Sequence, residues 1–188
     1  MSVLHPLAAD APRIQPWANG LGSTIQLACG PDDAHWRWRL SVAQIGQASA
    51  FSPLPGVRRW IAPLDAPLEL AFPAGGKRLL PRLAVHAFDG ADAPFAELPE
   101  GPARAFNLML RGDARAELIA RPLHGAMVLP AAAGGRWFVH LPAGQAEVRA
   151  DAEAAMLAAG GSLWIDAQPG QRLRIEGGGE IVLAKLAD

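Results

Sequence analysis

Arg37, Arg39 and Ser41 occupy every second position of Trp36-Arg37-Trp38-Arg39-Leu40-Ser41-Val42-Ala43, with Trp36, Trp38, Leu40 and Val42 between them. Period two places the two sets on opposite faces of one β-strand. A guanidinium beside a hydroxyl on an inward face would bind an anion. The planar fork of arginine matches a carboxylate with two parallel hydrogen bonds, which lysine cannot copy. On an outward face the same side chains would lie in water, where arginine is mostly found. The alternation leaves both orientations open. Asn107 and Met109 alternate with Phe106, Leu108 and Leu110 and share a face in the same way; the methionine there reads as core filler.

Other chemistries find no residues to carry them. His5, His35, His86, His124 and His140 are scattered, no two within four residues of each other, and no His-x-His pair exists. A tight transition-metal site needs three or four ligands of the right type, so neither a metal nor a cofactor is expected. His140, alternating with Trp137, Val139 and Leu141, reads as a structural strand histidine. The single cysteine, Cys29, excludes an intramolecular disulfide and any multi-cysteine site. Between Ala28 and Gly30-Pro31 it reads as a small buried or half-buried thiol. No Gly-x-Ser-x-Gly elbow, P-loop, Gly-x-Gly-x-x-Gly turn or EF-hand loop is present.

Composition narrows the partners. With 188 residues and a formal net charge of -1, the chain lacks the clustered basic excess of nucleic-acid binders, and no nucleic acid is expected. Hydrophobic residues make up 51% of the chain, but Gly, Pro or a charge interrupts them every few positions. Nothing approaches the ~18 apolar residues of a spanning helix, and no membrane partner is expected. Met1-Ser2-Val3-Leu4-His5-Pro6 has neither the basic nor the apolar region of a signal peptide, so the expected compartment is the cytoplasm.

The elements that would position these groups are strands. Roughly fifteen short apolar-alternating runs recur at spacings of about 8 to 12 residues, nearly every gap holding Gly or Pro, the pattern of a sandwich or barrel rather than of βαβ units. At Gln44-Ile45 the alternation breaks, which predicts a bulge or a strand end. Pro55-Gly56 suits the centre of a type II turn, and Asn19-Gly20 marks another turn. Ala74-Gly75-Gly76-Lys77 joins a hairpin. Only residues 151–159 have helix-forming composition, followed by Gly160-Gly161. Residues 111–113 and 130–135 are the expected module boundaries, giving approximate modules 1–112 and 113–188.

Three motifs in order resemble one known family. Trp36 to Trp60, WRWRLSVAQIGQASAFSPLPGVRRW, resembles the central signature of the HutD/Ves family of the cupin superfamily, roughly WRLSxAxV, a gap, then GPFSxFPGxxR. Pro16-Trp17-Ala18-Asn19-Gly20-Leu21-Gly22-Ser23-Thr24 resembles its PWKNGGGxT, and Phe106-Asn107-Leu108-Met109 its DxNLM. The motifs span roughly the first 60% of the chain. The resemblance implies an all-β fold of two cupin-like β-barrel modules, a bicupin of RmlC-like jelly rolls, in one compact chain.

It also implies the inward orientation of the arginine face and a ligand cavity, because inward polar groups in a small barrel line a site. The implied ligand-binding residues are Trp17, Asn19, Thr24, Arg39, Ser41, Ser52, Arg59 and Asn107. The implied function is a non-enzymatic binder of a small carboxylate metabolite, formylglutamate or urocanate being candidates, that regulates histidine utilisation or a stress response. The alternative is a metal-free cupin isomerase or lyase acting on a small acid. Association into a homo-oligomer is compatible with either. Against the family pattern Ala18 replaces a lysine, Ala105 an aspartate and Arg58 an acid, while Gln26 stands near a glutamate position. A changed charge set implies an altered ligand or weaker binding.

Overall fold

Period-two alternation becomes strand almost wherever it occurs in the computed structural model, which describes residues 2–8, 12–131, 135–166 and 168–187. In chain order the strands are β1 (Leu4–Pro6), β2 (Arg13–Pro16), β3 (Gly22–Gly30), β4 (Trp38–Ile45), β5 (Ser49–Ala50) and β6 (Val57–Pro63). Next come β7 (Leu68–Ala71), β8 (Lys77–Leu80), β9 (His86–Asp89), β10 (Phe95–Glu97) and β11 (Ala103–Arg111). The last are β12 (Arg115–Leu129), β13 (Gly135–Ala150), β14 (Glu153–Ala158), β15 (Ser162–Ile165) and β16 (Leu173–Ala187). A 3-10 turn, Gly90–Asp92, is the only helical element among the described residues, and none of their helices is long and apolar enough to cross a membrane.

The chain divides into two compact units, Pro12–Ala114 and Met1–Ala11 together with Arg115–Asp188. The first boundary falls just past Gly112, which turns with φ 63°. β1 pairs antiparallel with β15, so the N-terminal strand belongs with the later residues rather than with the module 1–112 expected from its place in the chain. The stretch 130–135, of which 132–134 lie outside the described residues, runs between β12 and β13, both of which pair with β16.

In the Pro12–Ala114 unit a six-stranded sheet, β2-β3-β4-β11-β6-β9, accompanies a four-stranded sheet, β5-β10-β7-β8. Both run in linear order without closing, the two-sheet arrangement of a jelly roll. Apolar side chains from both sheets, including Ile45, Ile61, Leu68, Leu70, Leu80 and Ala96, form one core cluster. Burying each large aliphatic side chain contributes about 1.5–3 kcal/mol before the entropy of ordering is subtracted. The predicted hairpin over residues 74–77 joins β7 to β8.

The turn at Leu54-Pro55-Gly56-Val57 is closed by a hydrogen bond from Val57 N to Leu54 O at 3.2 Å, and Gly56 has φ +74°. Those values fit the type II turn that Pro55-Gly56 predicts. A Cβ at Gly56 would meet no atom within 4 Å, so its substitution isolates the backbone cost. Gly56→Ala is expected to destabilise by about 1 kcal/mol. Gly178→Ala, where the space is also open and φ lies outside the left-handed region, should be neutral or slightly stabilising. Chemical denaturation of both variants checks this; equal shifts would show that the turn carries no constraint.

The other unit holds one sheet, β1-β15-β13-β16-β12, with β14 paired to β13. Its inward faces form a core that includes Val139, Leu141, Val148, Leu163, Ile175 and Leu183. Segments expected as separate short strands join into β12, β13 and β16, whose pairing continues across their glycines. The backbones approach so closely there that a Cβ on Gly179 would lie 2.1 Å from Ala143 O. Glycine there permits close backbone approach within continuous strands and is not a break between them.

The short helix considered over residues 151–159 does not form. β14 instead folds back on β13 through a tight turn at Asp151 and Ala152, and its alternating exposure is that of a half-buried strand. Alanine's helix propensity is a few tenths of a kcal/mol per residue, which strand pairing and burial of Leu157 override.

Candidate functional site

Antiparallel register arranges the inward side chains of the six-stranded sheet in rows. Arg39 on β4, Met109 on β11, Arg59 on β6 and Phe88 on β9 are successive cross-strand partners. The next row runs Gln26, Ser41, Asn107, Ile61, His86, and the one after it Thr24, Ala43, Ala105, Pro63. Ile45 opposite Ala103 follows. Polarity thus falls along the face, from two arginines at one end to a sealed apolar core at the other.

The face that the alternation left open is therefore the arginine face. Ile45, which breaks the alternation in sequence, lies on this same inward face and is 1% exposed; β4 keeps its register with β11 up to that residue and ends there. On the opposite face Leu40 and Val42 are also buried. Both faces of the strand leave water, so hydrophobicity alone had no way to choose between them.

A cavity of about 520 Å³ occupies the polar end. Trp17, Asn19, Thr24, Arg39, Ser41, Ser52, Arg59 and Asn107, all anticipated from sequence, line it together. Trp36, Phe51, Met109 and Arg111 also line it and were missed. Arg111 could have been found by extending the Asn107–Met109 alternation by two residues. Arg37 is not part of the wall; it is exposed and paired with Asp113.

The replaced family positions separate in space. Ala18 lines the cavity, Ala105 lies in the core, and Arg58 points elsewhere, stacking on Trp60 and donating to Ala114 O. Gln26 holds Asp33 at 2.6 Å.

The hairpin between β2 and β3 carries Trp17 and Asn19 to the site. Trp17 N donates to Gly22 O, Gly20 N to Trp17 O, and the Asn19 side chain accepts from Leu21 N at 3.0 Å, an Asx-type turn built by Asn-Gly. The Trp17 indole N–H donates to Thr24 Oγ1 at 2.9 Å, fixing the ring as part of the wall.

Arg59 is the most unusual group of the site. It is 5% exposed, its Nη2 donates to Asn107 Oδ1 at 3.1 Å, and its Nε is buried without a partner. The guanidinium lies over the rings of Phe51 and Phe88, at 4.8 and 5.1 Å. Burial pushes its pKa down to about 10, with no other cause contributing, and the group remains charged at neutral pH. Arg39 is half-buried, donates from Nη2 to Gln15 Oε1 at 3.0 Å, and also has a buried Nε without a partner. Its pKa is lowered, by desolvation first. Arg111 caps the Trp36 ring at 3.8 Å.

Among the described residues that line the cavity there is no Asp or Glu, nor any His, Cys or Lys. The described wall therefore combines positive charge with hydroxyl and amide groups. Cys29 lies outside it and donates to Asp33 at 2.9 Å; desolvation and that hydrogen bond push its pKa up to about 11, so it stays a thiol. His140 is buried, with Nδ1 2.8 Å from Ser162 Oγ. Among the described residues no three His, Cys, Asp or Glu side chains cluster so as to hold a metal. A second cleft, about 480 Å³, lies beside Gly22, Gln44 and Arg104, and Asp65 engages both the main chain and the side chain of Arg104 there.

The model of the HutD family matches residues 9–183. The chain is 34% identical over 100 residues to protein Ves of Cronobacter sakazakii, covering 52% of this chain and 55% of that protein. It is 34% identical over 113 residues to an uncharacterised 21.2 kDa protein of the hutC 3' region of Pseudomonas putida, covering 58% and 59%. The matches thus span less than two thirds of these curated relatives. Among solved structures, a conserved protein of unknown function from Pseudomonas aeruginosa superposes with a TM-score of 0.89 at 25% identity, covering both chains fully. HutD of Pseudomonas fluorescens, in a formate condition, superposes with 0.80 at 26% identity over 98% of each chain. A cupin 2 barrel protein from Leptotrichia buccalis, at TM-score 0.54 and 8% identity over 96% and 91% of the two chains, shares the fold alone.

Proposed function

We propose that this chain, which belongs to the HutD family, binds a small carboxylate metabolite in the cavity of its Pro12–Ala114 unit and serves as a non-enzymatic regulator linked to histidine utilisation. The observation that carries this reading is Arg59, a buried guanidinium in the cavity wall that has no carboxylate partner, and meets no acid in that wall, among the described residues. A desolvated cation without a counter-ion is costly, and an anionic ligand would supply the missing charge. Ser41, Ser52 and Asn107 add polar contacts that fix a small acid's orientation. The link to histidine utilisation is drawn from the hut naming of the relatives. The enzymatic alternative, an isomerase or lyase, would need a proton donor or acceptor near neutral pH, and the described lining residues favour binding of an anion instead.

A thermal-shift panel of formylglutamate, glutamate and urocanate at millimolar concentration tests the proposal. Ligand at a hundred times its Kd stabilises the folded state by about 2.7 kcal/mol, so at least one acid should raise Tm clearly and its uncharged amide should not. If no acid of the panel raises Tm, or the amides do so equally, the carboxylate reading is lost.

A further inference from the structure

Two of the three cavity arginines, Arg39 and Arg59, are held by side-chain amides, while Arg111 stacks on Trp36. Arg39 Nη2 donates to Gln15 Oε1 at 3.0 Å, and Arg59 Nη2 to Asn107 Oδ1 at 3.1 Å. A guanidinium has donors only, so each amide must turn its oxygen to the arginine. For Asn107 the amide's other end confirms this, since Nδ2 donates to Ala105 O at 3.3 Å. Gln15 reaches in from β2, where it pairs with Thr24. Each contact fixes one edge of the fork and leaves the buried Nε without a partner. Among the described residues the acid whose field reaches Arg39 is Asp33, which is already engaged by Arg13 at 2.6 Å, Gln26 at 2.6 Å and Cys29 at 2.9 Å.

A carboxylate in place of either amide would have the same length and be the stronger acceptor. It would also form an ion pair and discharge the arginine toward any incoming anion. We infer that Gln15 and Asn107 are positioning residues that orient the two forks without neutralising them, so that the cavity stays charged for its ligand. Gln15 lies outside the cavity wall and carries no other assigned role. The inference rests on the carboxylate-binding reading of this site.

Calorimetric titration with formylglutamate of the wild type, Gln15→Glu, Gln15→Met and Asn107→Asp tests it. The expected order is that Gln15→Glu loses at least tenfold in affinity while its Tm does not fall, because the new ion pair supports the fold. Gln15→Met, which loosens the fork but leaves it charged, loses less. A merely structural contact reverses that order, since glutamate restores the hydrogen bond and methionine removes it. Asn107→Asp should lose affinity in the same direction; if it fails to fold, Gln15, on an exposed edge strand, still decides. Wild-type affinity in Gln15→Glu, or a larger loss in Gln15→Met, overturns the inference alone. A wild type that binds neither formylglutamate nor any other acid of the panel overturns the function proposed above, and this inference with it.

Discussion

Arg59→Met is expected to abolish carboxylate binding while leaving Tm unchanged or raising it. Arg59 is 5% exposed and has no counter-ion among the described residues. The folded protein therefore bears the cost of a desolvated charge, offset in part by the Asn107 hydrogen bond and the stacking on Phe51 and Phe88. Stacking of this kind contributes about 0.5–2 kcal/mol. Methionine fills comparable space with a flexible apolar chain and removes the charge. Replacing buried ionic groups by hydrophobic ones of similar volume is commonly neutral or stabilising. Each hydrogen bond to a charged group contributes about 1.5–3 kcal/mol, so losing two costs about a hundredfold or more in affinity. Calorimetry and thermal denaturation on one preparation read both effects. Unchanged affinity would remove Arg59 from the site, and a steep fall in Tm would make it a structural group.

The second large effect concerns Arg39 against Arg37, two residues apart in the chain and opposite in role. Arg39→Ala is expected to weaken a carboxylate ligand at least tenfold with the fold intact. Arg39→Lys should already weaken it, because an ammonium cannot offer two parallel donors. Arg39 is half-buried and in contact with a polar wall, so its contribution is screened more than that of Arg59 and the expected loss is smaller. Arg37→Ala should leave affinity unchanged, since its side chain is exposed, pairs with Asp113 and does not line the cavity. Exposed pairs of this type contribute about 0–1 kcal/mol to stability. A loss in Arg37→Ala without one in Arg39→Ala would mean that the ligand sits elsewhere.

The family resemblance named the wall residues, and local signals with a physical cause account for part of that set. Alternation placed Arg39 with Ser41 and Asn107 with Met109, and antiparallel register then brought those pairs into adjacent rows. The Pro16-to-Thr24 motif gave the Asn-Gly turn that delivers Trp17. Which face of β4 turns inward was not legible, because Leu40 and Val42 are buried on the other side. Phe51 and Gln15 were missed for a different reason: neither shares a strand with the arginine it touches, and such contacts come from tertiary packing alone. The long strands of the other unit were read as pieces because Gly177-Gly178-Gly179 looks like a break, whereas pairing continues through it with the backbones in close contact. Residues 151–159 looked helical because alanine propensity carries no information about pairing to β13.

The most direct measurement is a crystal structure of the protein grown with a saturating small carboxylate from the thermal-shift panel. The expected density lies in the 520 Å³ cavity, with carboxylate oxygens about 2.7–2.9 Å from the Arg59 guanidinium and contacts to Ser41 or Asn107. Density in the cleft beside Gly22 and Arg104, with no acid at Arg59, would contradict the assignment of the site.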